Sequence, residues 1–315
     1  MEMFKLIPAC KDYLWGGHRL ASEYGIKYDG DILAEAWVLA CHKDGSSIIA
    51  DGEFAGKSLD NVRDEIGWEF LGTNCKDCSE FPILIKFIDA KRALSIQVHP
   101  DDEYANANEN QPGKTEMWYV LDANEDSYLY QGFDHEITRE EFEERIKSNT
   151  LTEVLNKVKV KKGDVLFIPP KTLHAIGEGI IIAEIQQNSN VTYRIYDYGR
   201  LGADGKPRQL HIKQSLDVTS LKRPEPYTCT SGHLVSCDFF DVDHVIVTQD
   251  RAYEEVADER SFVSIIAIEG KSKVSCGGKT VLLEKGESLF IPASSGKYTV
   301  TGDSEILITR IPEHH

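Results

Sequence analysis

Two stretches of the chain nearly repeat each other. KGDVLFIPPKTLHAIGEG begins at Lys162, and KGESLFIPASSGKYTVTG begins at Lys285. Each opens on Lys-Gly and an acidic residue, and each runs on to Leu-Phe-Ile-Pro. A β-branched and aromatic run closed by proline reads as a strand delivered to a turn. The same strand-and-turn recurs at an offset of 123 residues, from 162 to 285, which indicates a duplicated β-module. Duplication constrains the fold to related β units. The copies diverge after the proline. Five residues past the proline the first carries His174 and the second Lys297.

At 315 residues the chain is long for one compact core and comfortable for two domains. The net charge of -17 argues against nucleic acid or an anionic membrane as a partner. It leaves room for a small anion held by a few local cations. No apolar run reaches the ~18 residues that crossing a bilayer requires. The opening MEMFKLIPACKDYLW lacks a basic region followed by an apolar core, so a cytoplasmic location is expected. The 7 cysteines then read as free or buried thiols. Cys75 and Cys78 form the one close pair, without the second pair that a zinc ribbon requires.

Most segments read as short strands: FPILIKFIDA, ALSIQVHP, MWYVLDA, SYLYQGF, DVLFIPP, GIIIAEIQQ, FVSIIAIEG and SLFIPA. SLDNVRDEIGWEFLGT and TREEFEERIKSNTLTEVLNKV carry helical spacing, and the latter opens on a capping box, Thr138 and Glu141. Many strands and few helices predict a sandwich or barrel. LKRPEPYT, with Pro224 and Pro226, reads as a linker. The expected division is a larger domain over residues 1–225, with a helical insertion at about 134–158, and an all-β domain over 226–315.

Gly163, Pro169 and His174 resemble the second half of the cupin signature, with Thr172 in place of its inner glycine. The resemblance implies a mainly β fold of two cupin-like, double-stranded jelly-roll modules with a small helical segment. In that fold the histidine points inward as a metal ligand. The other ligands must come from an earlier strand. In IQVHP, Gln97 and His99 lie two apart and share one side of a strand, with Val98 opposite. Glu116 opens a later strand. Two histidines, a carboxylate and an amide oxygen make a mixed site suited to zinc. Lys86, Lys114, Arg194 and Arg200 are candidate cations, and Lys114 shares the Glu116 side of an extended segment. The Tyr-, Asp- and Arg-rich NSNVTYRIYDYGRLG fits either a solvated edge or a wall that binds phosphate.

LSIQVHPDDEYA, GKTEMWYVL, LFIPPKTLHAIG and NVTYRIYDYGR, in this order, resemble the type I mannose-6-phosphate isomerases, as do Trp15-Gly16-Gly17 and Ala34-Glu35-Ala36-Trp37. The resemblance implies a zinc-dependent aldose–ketose isomerase acting on mannose 6-phosphate and fructose 6-phosphate, of the short bacterial form. It places the single zinc ion on Gln97, His99, Glu116 and His174, the essential arginine at Arg194 and the active-site lysine at Lys114. It makes Lys86, Ser95, Asp197 and Arg200 candidates for holding substrate. The chain departs from the long forms at Gly113, Asp102 and Ala40, where those carry histidine, lysine and serine. A hydroxide generated at the zinc, Lys114 or Asp197 are the expected alternatives for the base. A metal-dependent cupin dioxygenase and a non-catalytic sugar-phosphate binder are the competing functions. The expected partner is a small sugar phosphate, bound by a monomer or homodimer. His233, His244, His314 and His315 fall outside the signature.

Overall fold

The computed structural model describes residues 1–202 and 205–313, so His314 and His315 lie outside the described residues. Strands dominate, and every ladder is antiparallel. One sheet has six strands in the order Val165–Ile168, Glu116–Ala123, Ile180–Gln187, Ile83–Ala90, Glu35–Leu39 and Ala9–Lys11. The sheet that faces it has five: Leu155–Lys159, Tyr128–Phe133, His174–Ala175, Ile96–Val98 and Tyr193–Tyr196. Between them lie Ile88, Trp118, Val120, Leu129, Ile176 and Ile182, all buried. This is the double-sheet jelly roll expected from the cupin resemblance.

The central strands are apolar on both faces because both faces are covered. On Ile83–Ala90, Ile180–Gln187 and Glu116–Ala123 every second side chain points into the barrel. Lys86, Ile88, Glu184, Ile182, Glu116 and Trp118 take that face. The alternate set, Ile85, Phe87, Ala183, Ile185, Met117 and Tyr119, packs into a second core shared with the C-terminal module. Phe4, Phe81, Phe262 and Phe290 meet there, with ring centroids 4.9–5.5 Å apart between neighbours. A fully buried phenylalanine contributes about 1.5–3 kcal/mol, so these rings alone bind the modules firmly.

The C-terminal module is a nine-stranded sheet built on two long strands, Val263–Cys276 and Gly296–Arg310. Phe4–Ile7 pairs with Ser288–Ile291, and Ile48–Ile49 pairs with Phe4–Ile7. Residues from the N-terminal side of the expected boundary at 225 therefore complete the C-terminal sheet. The repeated Lys-Gly turns serve one purpose in both copies. Gly163 and Gly286 sit at φ 91° and 85°, a left-handed turn that favours glycine. Lys162 and Lys285 both reach the same carboxylate, Glu269, at 3.4 and 3.1 Å. In the second copy Lys297 points outward to Glu254, and Tyr298 fills the interior instead.

The helical segments are shorter than their periodicity predicts. Leu59–Ile66 ends at Gly67, whose φ is 80°. Arg139–Lys147 is capped by Thr138, whose side chain accepts from Glu141 N, and Asn149 at φ 57° turns the chain. The last residues of the expected helix instead form the strand Leu155–Lys159, because pairing with Tyr128–Phe133 overrides the local pattern. The linker around Pro224 is packed: Pro224 rests on Gly132, and Tyr227 lies against Phe167.

Candidate active site

One rung of the five-stranded sheet carries three of the expected residues. His174 pairs with Gln97, and Gln97 pairs with Arg194. Cross-strand neighbours share a face, so all three side chains enter the barrel together. Glu116 arrives from the facing sheet, opposite Ile168 in the ladder. His99 follows the Ile96–Val98 strand.

His99, Glu116 and His174 converge in the buried interior, each at most 1% exposed. His99 Nδ1 donates to Val191 O, and His174 Nδ1 donates to Thr172 O, both at 2.8 Å. A carbonyl only accepts, so these bonds fix the proton on Nδ1 and direct both Nε2 lone pairs into the cluster. The two Nε2 atoms point at each other across 3.1 Å. Burial first, and Lys114 second, hold both rings below the ordinary imidazole range, so both are neutral. Glu116 Oε1 lies 3.3 Å from His174 Nε2, is buried, and has no hydrogen-bond partner. Two facing lone pairs beside an unpaired carboxylate oxygen repel one another unless a positive charge lies between them. The donor set therefore fits a divalent cation. Gln97 stands beside it, its amide nitrogen 3.5 Å from His174 Nε2. A half-turn of that amide would present oxygen instead.

Gln97 and Lys114, which adjoin the cluster, line a pocket of about 280 Å³. Lys114 donates to Glu116 and to His99 Nε2, the latter at 3.2 Å. Lys86 lies between two carboxylates, 3.1 Å from Glu184 and 3.9 Å from Glu35. Trp118 Nε1 donates to Glu184, and Trp37 Nε1 donates to Glu35. Burial opposes the charge on Lys86, but Glu184 and Glu35 more than reverse it and raise its pKa. Burial likewise opposes the charge on Glu184, and Lys114 and Lys86 overcome it and hold the carboxylate well below its usual range. In the metal-free cluster burial raises Glu116 above the carboxylate range.

Arg194 and Ser95 reach the pocket as expected, with Arg194 Nε donating to Ser95 Oγ at 3.1 Å. Asp197 and Arg200 stand behind it. Asp197 accepts from Arg200 and from Arg208, and although burial opposes it these cations hold it below the usual range. Asp197 is not among the residues that line the pocket, whereas Glu184 is, and this disfavours Asp197 as the base. Arg200 is fully occupied, with its remaining nitrogen on Ala93 O. Arg208, not anticipated from the sequence, lines the pocket in its place. Glu184 was also missed. Its signal was a single ionisable residue inside the apolar run that opens GIIIAEIQQ, a strand buried throughout its length.

Two of the departures from the long forms, Gly113 and Asp102, have physical explanations. A Cβ on Gly113 would lie 2.5 Å from the backbone of Asp101 and Asp102, so no side chain fits. Asp102 accepts from Gly113 N and from Gln187 Nε2, which pins that loop beneath Lys114. Cys75 and Cys78 lie on a turn stitched to the C-terminal module through Thr73 and Asn74, far from these ligands in the fold.

A double-sheet barrel with a His–Glu–His cluster on its inner face defines a cupin enzyme with a candidate metal centre. Comparison with known proteins narrows the class. The profile of the phosphomannose isomerase type I catalytic domain matches residues 3–138, and that of the mannose-6-phosphate isomerase cupin domain matches residues 230–311. A mannose-6-phosphate isomerase of Bacillus subtilis is 34% identical over 318 residues, covering 96% of this chain and 97% of its own. One from Streptococcus mutans is 34% identical over 308 residues, covering 95% of each. The crystal structure of the mannose 6-phosphate isomerase from Bacillus subtilis superposes with a TM-score of 0.90 at 31% identity, over 98% of this chain and 99% of that one. The chain belongs to the type I phosphomannose isomerase family, and it is an enzyme of that type.

Proposed function

We propose that the chain interconverts mannose 6-phosphate and fructose 6-phosphate, moving a proton between C2 and C1 through an enediol. One zinc ion per chain would be held by Gln97, His99, Glu116 and His174. The observation that carries this reading is the convergence of two imidazole lone pairs and an unpaired carboxylate oxygen next to Gln97 and Lys114, which line a cation-rich pocket. Bound there, zinc would supply Lewis-acid polarisation of the C1 or C2 oxygen, worth several kcal/mol.

The side chains supply the rest. Arg194, fixed by Ser95 and by Gln209 O, holds the oxygen on which negative charge develops. Lys114 and Lys86 offer ammonium donors to the sugar hydroxyls, and Arg208 gives a second guanidinium for the phosphate. Asp197 positions Arg208 by accepting its Nε at 2.6 Å. We assign the proton transfer to Glu184. It is ionised, buried and on the pocket wall. Its two lysines keep it charged, and when sugar oxygens share those ammonium groups its basicity rises. Lys114 acts as a donor in this arrangement. Residues 1–225 then carry the chemistry, and 226–315 serve as a metal-free scaffold in which Tyr298 fills the barrel.

A coupled assay of mannose 6-phosphate isomerisation tests the reading. The unaltered chain should turn over, and Glu184→Gln should lower kcat by about 10²–10⁴ with metal content unchanged. Absence of turnover in the unaltered chain refutes the function. Near-normal kcat in Glu184→Gln refutes the role of Glu184.

A further inference from the structure

A second concavity of about 650 Å³ lies beside the catalytic pocket. The two share Tyr13, Trp15 and Arg208 along their walls, so they are continuous. The outer trough is lined on one side by apolar residues, Leu14 and Leu201 being 53% and 57% exposed. Among the described residues its charged lining is mostly cationic: Arg92, Arg200 and Arg208 face it, together with the carboxylate of Asp12.

These arginines are not equivalent. Arg200 and Arg208 share the Asp197 carboxylate, which offsets much of their charge. The Arg92 guanidinium has no ion-pair or hydrogen-bond partner among the described residues. Yet its backbone is firmly held. Arg92 N donates to Trp15 O at 2.9 Å, Leu94 N to Ile176 O at 2.9 Å, and Arg200 Nη1 to Ala93 O at 2.6 Å. A fixed turn thus holds an unpaired cation at the rim of a trough that leads into the catalytic pocket. The chain as a whole carries -17 and repels anions. Local cations in a concavity focus the field and reverse that repulsion at one place.

We propose that this trough is an outer subsite for the anionic group of a phosphorylated sugar, and that Arg92 is the residue that draws the dianion into it. The proposal rests on the isomerase reading and deepens it, by naming a specificity determinant outside the catalytic pocket. Arg92 touches no reacting atom, so its effect falls on capture and not on chemistry.

The test compares the unaltered chain with Arg92→Ala and Arg92→Lys at low salt and at about 0.3 M salt, where the Debye length is well under 10 Å. Mannose 6-phosphate isomerisation gives kcat and KM, and inorganic phosphate serves as a competitive inhibitor. Arg92→Ala should raise both KM and the phosphate inhibition constant about three- to tenfold at low salt, leave kcat within about twofold, and flatten the salt dependence of kcat/KM. Arg92→Lys should recover most of the loss. Unchanged KM, inhibition constant and salt slope in Arg92→Ala overturn the proposal, as does a fall in kcat at constant KM. Absence of turnover in the unaltered chain counts against the isomerase reading instead. In that case titration calorimetry with inorganic phosphate still decides Arg92, because weaker binding by Arg92→Ala supports the subsite and equal binding rejects it.

Discussion

Replacing Lys86 by methionine removes one positive charge from a set of buried ionised groups. Lys86 is 4% exposed and lies 3.1 Å from Glu184 and 3.9 Å from Glu35. Methionine has similar length and keeps the packing against Trp37, whose ring centroid is 5.2 Å from Nζ. The variant therefore isolates the charge. Removing one partner of a buried ion pair costs about 3–5 kcal/mol, because the carboxylate left behind is uncompensated. Lys114, 3.7 Å from Glu184, retains part of the compensation, which places the expected loss near the lower end, about 3 kcal/mol. The pH dependence gives a sharper signature. Glu184 has a depressed pKa in the folded chain, so its contribution is fully present above its unfolded value of about 4.3 and is lost as pH falls through the folded value of about 2. Without Lys86 that contribution shrinks. The stability gap between the unaltered chain and Lys86→Met should be widest near neutral pH and narrow as pH falls from about 4 to about 2. Adding Glu184→Gln removes the orphaned charge and should recover a large part of the loss at neutral pH. Urea unfolding from pH 2 to 8 measures all three chains. A neutral-pH loss under about 1 kcal/mol, or a gap independent of pH, would refute the reasoning.

Three further outcomes follow from the geometry. Lys297→Ala should leave kcat and KM unchanged in the isomerase assay, because Lys297 pairs with Glu254 on the outer face of the C-terminal module. Gly113→Ala should lower stability by about 1–3 kcal/mol through overpacking against Asp101 and Asp102, read by chemical denaturation, and should lower kcat by displacing Lys114. Metal uptake should release about one proton near neutral pH, since burial raises Glu116 while His99 and His174 are already neutral. Apparent metal affinity should then rise with pH through neutrality, and titration calorimetry in buffers of different ionisation enthalpy measures that proton.

Much of the metal cluster was legible because strand periodicity assigns faces. The rule puts Gln97 and His99, and Lys114 and Glu116, each on one side of a strand, and the cupin and isomerase resemblances singled them out. The repeated phrase disclosed the duplication, and the left-handed Gly163 and Gly286 explain why its Lys-Gly turns recur. What sequence reasoning missed depended on contacts between distant segments. Asp197 and Arg200 look like free site residues until Arg208 is seen to share the carboxylate. Glu184 becomes a site residue only when the ladder places it opposite Lys86 and Trp118. Leu155–Lys159 carries a helical pattern, and only the Tyr128–Phe133 edge beside it makes it a strand. Phe4–Ile7 crosses to the C-terminal sheet through pairing that no local signal encodes.

The most direct measurement of the central claim is zinc stoichiometry together with isomerase turnover on metal-stripped chain. The account predicts one equivalent of zinc bound per chain and turnover restored with it. It predicts binding lost in Glu116→Ala and His174→Ala, and kept in Arg194→Ala, which alters turnover alone. Full turnover in the stripped chain, or zinc binding indifferent to Glu116 and His174, would contradict it.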